Sequence, residues 1–137
     1  MTHRRLGVFA RVCALAVLVG AGLSMPAFAH HSVSGQFDVK TKVVLTGIVE
    51  RVDWVNPHIY VHLKVKDEQG VESVWRLNTV PVGMARAAGI TKESLFAGGK
   101  PMKITIFPAR DGTKNLGFAT RFEFPDGKFI QTSPDRE

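Results

Sequence analysis

The sequence predicts a mainly β protein: a small five-stranded OB-type barrel with a short helical connection between strands three and four. From Lys42 onward, apolar and polar residues alternate with period two, which is typical of strands. The alternation gives way once, over residues 81–99, to helical spacing. Three strands, a helical connection and two more strands are the element order of an OB-type barrel. An open β-sandwich is the alternative, and it would bury the same residues.

The first strand is predicted to bend. Val43, Leu45, Gly47 and Val49 share one parity, whereas Val52 and Trp54 have the other. A parity switch near residues 50–51 indicates a β-bulge, which bends a strand sharply enough to serve two sides of a small barrel. Gly47, in mid-strand, permits the same bend.

The second and third strands form a predicted hairpin. Residues 59–65 alternate cleanly, so their odd-numbered apolar side chains are assigned to the core and their even-numbered polar ones to solvent or a partner. The sequence DEQG at 67–70 predicts the turn. Residues 72–77 return as the third strand, with Trp75 and Leu77 on one face.

The helical connection and the last strands carry their own signals. Pro81 begins a short helix that ends at Gly89, and Thr91 caps a further turn. Period-two alternation then predicts strands over residues 101–107 and 116–124. A tight PDG turn leads into a short apolar segment at the end of the domain.

The first 29 residues have the pattern of a secretory signal peptide. Arg4 and Arg5 make the start positive, residues 12–23 are apolar or small, and Ala27 and Ala29 stand at the −3 and −1 positions. The apolar run is shorter than the roughly 20 residues of a membrane span. We expect cleavage after Ala29, a periplasmic or secreted protein, and no stable membrane insertion after signal removal.

Cleavage defines the remaining organisation. Residues 30–41 form a predicted N-terminal arm, 42–130 the OB-like domain and 131–137 a flexible polar tail. Cys13, the single cysteine, leaves with the signal peptide, so the mature chain has neither disulfides nor thiolate metal ligands. The 108 residues left of 137 are enough for one hydrophobic core.

The charge of the mature chain argues against nucleic acid as a partner. The full chain carries 18 basic and 12 acidic residues. Arg4, Arg5 and Arg11 leave with the signal peptide, which leaves 15 basic residues against 12 acidic ones, a net charge of +3. These charges are interspersed along the chain, so they favour solubility over binding of a polyanion.

Two histidines at the expected mature terminus suggest a metal site. After cleavage, His30 offers its α-amine and its ring Nδ1 to one ion, and nitrogen ligands of this kind suit Cu(II). His31 adds a ring or a main-chain nitrogen, and His58 is the candidate third side chain. The first hypothesis is therefore a non-enzymatic periplasmic module that binds copper through His30, His31 and His58.

The second hypothesis is a metal-free barrel that binds a protein or small molecule through one loop. Its candidate residues are Trp54, Asn56, Pro57, His58 and Tyr60, at a break between two strands. In a purely structural interpretation, the loop is a turn in which His58 makes a local hydrogen bond.

An enzyme is not expected. The sequence contains no paired carboxylates, no nucleophile in a signature context and no glycine-rich phosphate loop before a helix. His62, on the same strand face as His58, lies too far along the strand to share an ion with it and is expected to face solvent.

The mature chain resembles a family of small exported bacterial proteins of unknown function, marked by a His-His-Ser start and a Trp-x-Asn-Pro-His motif. It departs from the family at Val33, where an aromatic residue is frequent, and at Ile90, where tryptophan is frequent. The resemblance implies export from a bacterium and assigns no activity. It is carried by HHS at 30–32, FD at 37–38, LTGIV at 45–49, WVNPH at 54–58, DEQG at 67–70, Trp75, residues 81–89, Pro108, DG at 111–112 and DG at 126–127.

Overall fold

Six strands and three short helices make up residues 32–133, the part of the chain that the computed structural model describes. The predicted signal peptide, His30, His31 and residues 134–137 lie outside the described residues. In chain order the elements are α1 (Val33–Gln36), β1 (Val43–Trp54), β2 (Ile59–Lys66), β3 (Glu72–Asn78), α2 (Val82–Ala87), α3 (Lys92–Leu95), a 3-10 turn (Ala97–Gly99), β4 (Met102–Pro108), β5 (Leu116–Glu123) and β6 (Phe129–Gln131).

The strands close into a barrel. Their order in the sheet is β3-β2-β1-β4-β5-β6, and these neighbours are antiparallel. Strand β5 also pairs in parallel with β3, where Leu77 lies opposite Gly117. This pairing closes β1 to β5 into a five-stranded barrel, with α2 and α3 between its third and fourth strands, which confirms the predicted fold class.

Strand β1 pairs with two strands because it bends. Residues 43–47 pair with β4, and residues 47–54 pair with β2. The register with β2 shifts between Val49 and Arg51, which confirms the predicted bulge. Gly47 belongs to both ladders, and a Cβ at this position would collide with the main-chain oxygen of Lys64.

The core consists of the inward faces that the alternation predicted. Leu95 of α3 and Ile90, just before it, are buried in the same core. Trp54 and Trp75 are partly buried and pack against it. The fully buried strand residues include Ile59, Val61, Leu63, Leu77, Ile104, Ile106 and Phe122.

The helical connection has the predicted signals. Pro81 precedes α2, and Gly89 follows it with φ of 79°, a left-handed conformation that favours glycine. Thr91 caps α3 by accepting a hydrogen bond from the N–H of Ser94, whose side chain in turn accepts from Thr91. Among residues 32–133, no helix is long and apolar enough to cross a membrane.

The chain continues to pair with β5 beyond residue 130. Strand β6 runs through Gln131, and the N–H of Thr132 donates to the Thr120 oxygen at 2.8 Å. The predicted start of a flexible tail at residue 131 therefore falls inside a strand. The polar composition of the last residues predicted a tail. The free edge of β5, however, supplies main-chain hydrogen-bond partners for these polar residues.

Gly47→Ala is expected to lower the free energy of unfolding by about 1–3 kcal/mol, because the new Cβ would press on the backbone of β2. Urea denaturation followed by tryptophan fluorescence measures it. Gly83→Ala in α2 is the matched control, since a Cβ there meets nothing within 4 Å. It is expected to be neutral or to stabilise by up to about 1 kcal/mol. Equal losses in both variants would contradict the constraint at Gly47.

Candidate functional site

A cavity of about 400 Å³ lies at one end of the barrel, between the N-terminal arm, the start of β2 and the helical connection. Its volume falls within the range of known small-ligand sites, which is about 300–1,000 Å³. Its walls are mainly apolar, with a few hydroxyl groups and one imidazole. The lining residues are Ser32, Val33, Ser34, Val39, His58, Thr79, Val80, Pro81, Met84, Phe107, Phe118, Thr132 and Ser133.

The N-terminal arm is anchored beside this cavity by one aromatic side chain. Phe37 is only 1% exposed, and its ring centroid lies 5.6 Å from that of Phe118. Phe37 also forms an isolated β-bridge with Ala109, and the N–H of Asp38 donates to the Pro108 oxygen at 2.9 Å. The arm is therefore attached to the end of β4 through both its side chain and its backbone.

A single helical turn carries the arm from Phe37 to the cavity. In α1 the N–H of Gly35 donates to Oγ of Ser32 at 3.1 Å, and the N–H of Phe37 donates to the Val33 oxygen at 2.8 Å. Ser is a favoured residue at this capping position. These bonds hold Ser32, Val33 and Ser34 against the same cavity that His58 lines.

His58 is held in the cavity wall by the residues around it. It directly precedes β2, whose first residue Ile59 is fully buried and accepts a hydrogen bond from the N–H of Thr79 at 3.1 Å. Nδ1 of His58 is sealed from solvent and has no hydrogen-bond partner within residues 32–133. The local hydrogen bond expected in the purely structural interpretation is therefore not found at this atom among the described residues.

The other predicted loop residues lie elsewhere. Trp54 packs against the core, and Asn56 and Pro57, which are joined by a cis peptide bond, are exposed. Tyr60 is half-buried beneath Arg76, whose guanidinium carbon is 4.3 Å from the ring centroid. Of the loop residues singled out in the sequence, the structure brings only His58 to the cavity.

The metal-ligating groups at this end of the barrel are few. Within residues 32–133 there is no group of three or more His, Cys, Asp or Glu side chains that could hold a metal ion. The cavity contributes one imidazole, from His58, and one thioether, from Met84. The predicted ligands His30 and His31 lie outside the described residues.

Comparison with known proteins identifies the family of this chain. Residues 18–118 match DUF6152, a family of unknown function. The chain belongs to the DUF6152 family. No curated protein and no solved structure matches the chain. The predicted resemblance to an uncharacterised family is confirmed to that extent, and family membership leaves the function to be inferred from the site.

Sequence reasoning missed most of the cavity of this DUF6152 chain. Thr79 is only 1% exposed and donates from Oγ1 to the Ala119 oxygen at 3.2 Å, but nothing in its sequence context marks it. For Met84, the sequence does contain a signal. It lies off the face on which α2 buries Val82 and Ala85, so helical spacing alone predicts an exposed apolar side chain there.

His62 was expected to face solvent, but on the outer face of β1 and β2 it is largely buried and paired. Its side chain is only 14% exposed, and its Nε2 lies 2.8 Å from Oδ2 of Asp53 and 2.8 Å from Nη2 of Arg51. One ring nitrogen cannot donate to Asp53 and accept from Arg51 at the same time. When Nε2 carries the proton, both His62 and Arg51 donate to Asp53, and the hydrogen bond from His62 is the main cause that holds the pKa of Asp53 below its usual value.

Asp53→Asn is expected to lower stability near pH 7 by less than about 1 kcal/mol, because 36% of the Asp53 side chain is exposed and solvent screens the pair. A carboxyl with a lowered folded-state pKa contributes stability above its unfolded pKa and loses it as the pH falls. The difference from wild type should therefore shrink as the pH falls below about 4. Urea midpoints at pH 7 and pH 3 test this, with Glu68→Gln in the exposed β2–β3 turn as the control. A difference that is as large at pH 3 as at pH 7 would contradict the assignment.

Proposed function

We propose that this chain is an exported, non-enzymatic module that binds copper at the end of its barrel through His30, His31 and His58. The observation that carries the proposal is the shared cavity, which Ser32 and Ser34 of the arm line together with His58. His30 precedes Ser32 by two residues, which span at most about 7 Å of chain.

The chemistry of the proposed ligands favours Cu(II). Cleavage after Ala29 gives His30 a free α-amine, which forms a chelate ring with the Nδ1 of the same residue. Amine and imidazole nitrogens bind Cu(II) more tightly than other divalent first-row ions. His31 contributes its ring or its amide nitrogen, and His58 completes the set.

The character of the cavity supports binding rather than catalysis. Among the residues that line it, His58 is the one titratable side chain. General acid–base or nucleophilic catalysis needs paired groups within hydrogen-bonding reach of each other. Export is supported by the signal-peptide pattern of residues 1–29. The same pattern supports a periplasmic or secreted location.

Mature protein with His30 as its first residue is expected to bind one Cu(II) ion with a sub-micromolar Kd, about −8 kcal/mol or tighter. Acetylation of the His30 α-amine should abolish the tight binding, because the blocked amine can no longer close the chelate ring. His58→Gln should weaken it by about tenfold or more, or about 1.4 kcal/mol. Calorimetry measures affinity and stoichiometry, and electron paramagnetic resonance reports the nitrogen ligands.

His62→Gln is the matched control for this titration, since its imidazole pairs with Asp53 on the outer face of the barrel. It should bind Cu(II) as wild type does. Binding should also weaken as the pH falls, because amine and imidazole ligands must lose their protons to coordinate. Weak binding that is equal in the native protein and in the protein acetylated at His30 would refute the copper proposal.

The apolar walls of the cavity favour a second candidate: a metal-free module for a small apolar molecule or a protein segment at the Trp54–His58 loop. Six of its lining residues, Val33, Val39, Val80, Met84, Phe107 and Phe118, are apolar and large enough to contact such a ligand. Val55, in the same loop, is 51% exposed and adjoins the exposed Asn56 and Pro57.

A fluorescent apolar probe such as anilinonaphthalene sulfonate separates the two candidates. If the cavity is a metal-free ligand site, Val33→Phe narrows it and should reduce probe binding, and Asn56→Ala should alter binding at the loop. His30→Ala should then be silent. Val74→Phe is the control, because Val74 is 47% exposed on β3, away from the cavity. Probe affinity that is the same in wild type and Val33→Phe would rule out this cavity as the apolar site.

A further inference from the structure

We infer that a second cavity binds an amphipathic carboxylate, a molecule with an apolar body and one carboxylate group that pairs with Lys100. This cavity, here called the hairpin cavity, is lined by residues of 94–100 and 124–130 and has a volume of about 580 Å³. That volume falls within the range of known small-ligand sites. The hairpin cavity shares no lining residue with the cavity beside His58, so the inference is independent of the proposed function.

The walls of the hairpin cavity are mainly apolar. Ala97, Phe124 and Ile130 line it and also pack against the barrel core, which holds this part of the wall in place. Phe129 lines it as well and is 53% exposed, the one aromatic side chain among the exposed large apolar residues of 32–133. An apolar ligand body would cover this ring and remove its surface from water, which favours binding.

Phe129 is held in place although half of it is exposed. The guanidinium carbon of Arg121 lies 3.7 Å from the centre of its ring. Nε of Arg121 in turn donates to Oε1 of Glu123 at 3.0 Å, which fixes the guanidinium. A wall that is ordered before the ligand arrives lowers the entropy cost of binding. The ring is therefore suited to contact a ligand.

The polar side chains of the hairpin cavity indicate the charge of its ligand. Oγ of Ser94 accepts from the N–H of Thr91 at 3.0 Å and donates to its oxygen at 2.9 Å. Asp126 and Lys128 pair with each other, with Oδ2 and Nζ 3.1 Å apart. The ammonium group of Lys100 has no hydrogen bond or ion pair within residues 32–133. The polar side chain of this lining that has no partner there is therefore a cation.

One unpaired cation beside apolar walls selects an anion with a single charge. The charges of Asp126 and Lys128 cancel, so the lining carries a net charge of +1 from Lys100. A carboxylate balances that charge, whereas a doubly charged group would keep an excess negative charge close to Asp126. The flexible four-carbon stem of lysine lets its ammonium group follow the carboxylate. The apolar body of the ligand then lies against Phe129 and Ile130.

Octanoate, with octanol as its uncharged equivalent, tests the inference. Titration into the mature protein, followed by two-dimensional amide NMR, should shift the signals of Ala97, Gly98 and Phe129 and give a Kd of about 1 mM or tighter for octanoate. Lys100→Gln should weaken octanoate binding by about threefold or more and change octanol binding by less than about twofold, because only the carboxylate pairs with the ammonium group. Phe129→Ala should weaken the binding of both ligands, since both lose the same apolar contact.

Lys114→Gln is the matched control, because Lys114 is an exposed lysine in the β4–β5 loop that does not line the hairpin cavity. It should bind both ligands as wild type does. An octanoate affinity that is equal in wild type and Lys100→Gln would overturn the inference. Signals that shift only around the other cavity, such as those of Val33 and Met84, would overturn it as well. Neither result would affect the copper proposal, which is tested at His30 and His58.

Discussion

Strand β1 has to pair with β4 along one half and with β2 along the other, and the rest of the barrel depends on how it bends. Gly47 lies at the changeover, where the backbone of β2 comes too close for any side chain. The bulge between Val49 and Arg51 then reverses the parity, so that apolar residues on both sides of the bend face the core. With β2 and β4 placed in this way, β3 and β5 meet in parallel and close the barrel.

Closure of the barrel also explains why the cavity forms where it does. In an antiparallel pair, the start of one strand lies beside the end of the next. His58 at the start of β2 is therefore brought to Thr79 at the end of β3, and Phe107 of β4 lies opposite Phe118 of β5 at the same end. The arm adds a further wall because Phe37 packs against Phe118. Segments far apart in sequence thus share one site.

The two imidazoles near β2, His58 and His62, differ in their surroundings. The cavity walls beside His58 are mainly apolar, and in such surroundings an unsatisfied imidazole nitrogen is costly. Nδ1 of His58 is in this position within residues 32–133, whereas His62 is paired with Asp53 on the outer face. The two imidazoles share a strand face by sequence parity but differ in their partners. That difference makes His58 the candidate ligand and His62 part of a surface ion pair.

The sequence by itself determined the features that depend on neighbours along the chain. Period-two alternation, the parity switch, the DEQG turn and the Thr91 cap are all local, so the strands, the bulge and the helices could be read directly. His58 could be named as a candidate for the same reason, since a strand break is visible in WVNPH. Only the tertiary structure decided that Val33, Met84 and Phe118 surround it, that Asp53 lies beside His62, and that Gln131 belongs to a strand. Each of these depends on register and on which strand ends meet, and that information is not contained in any one segment.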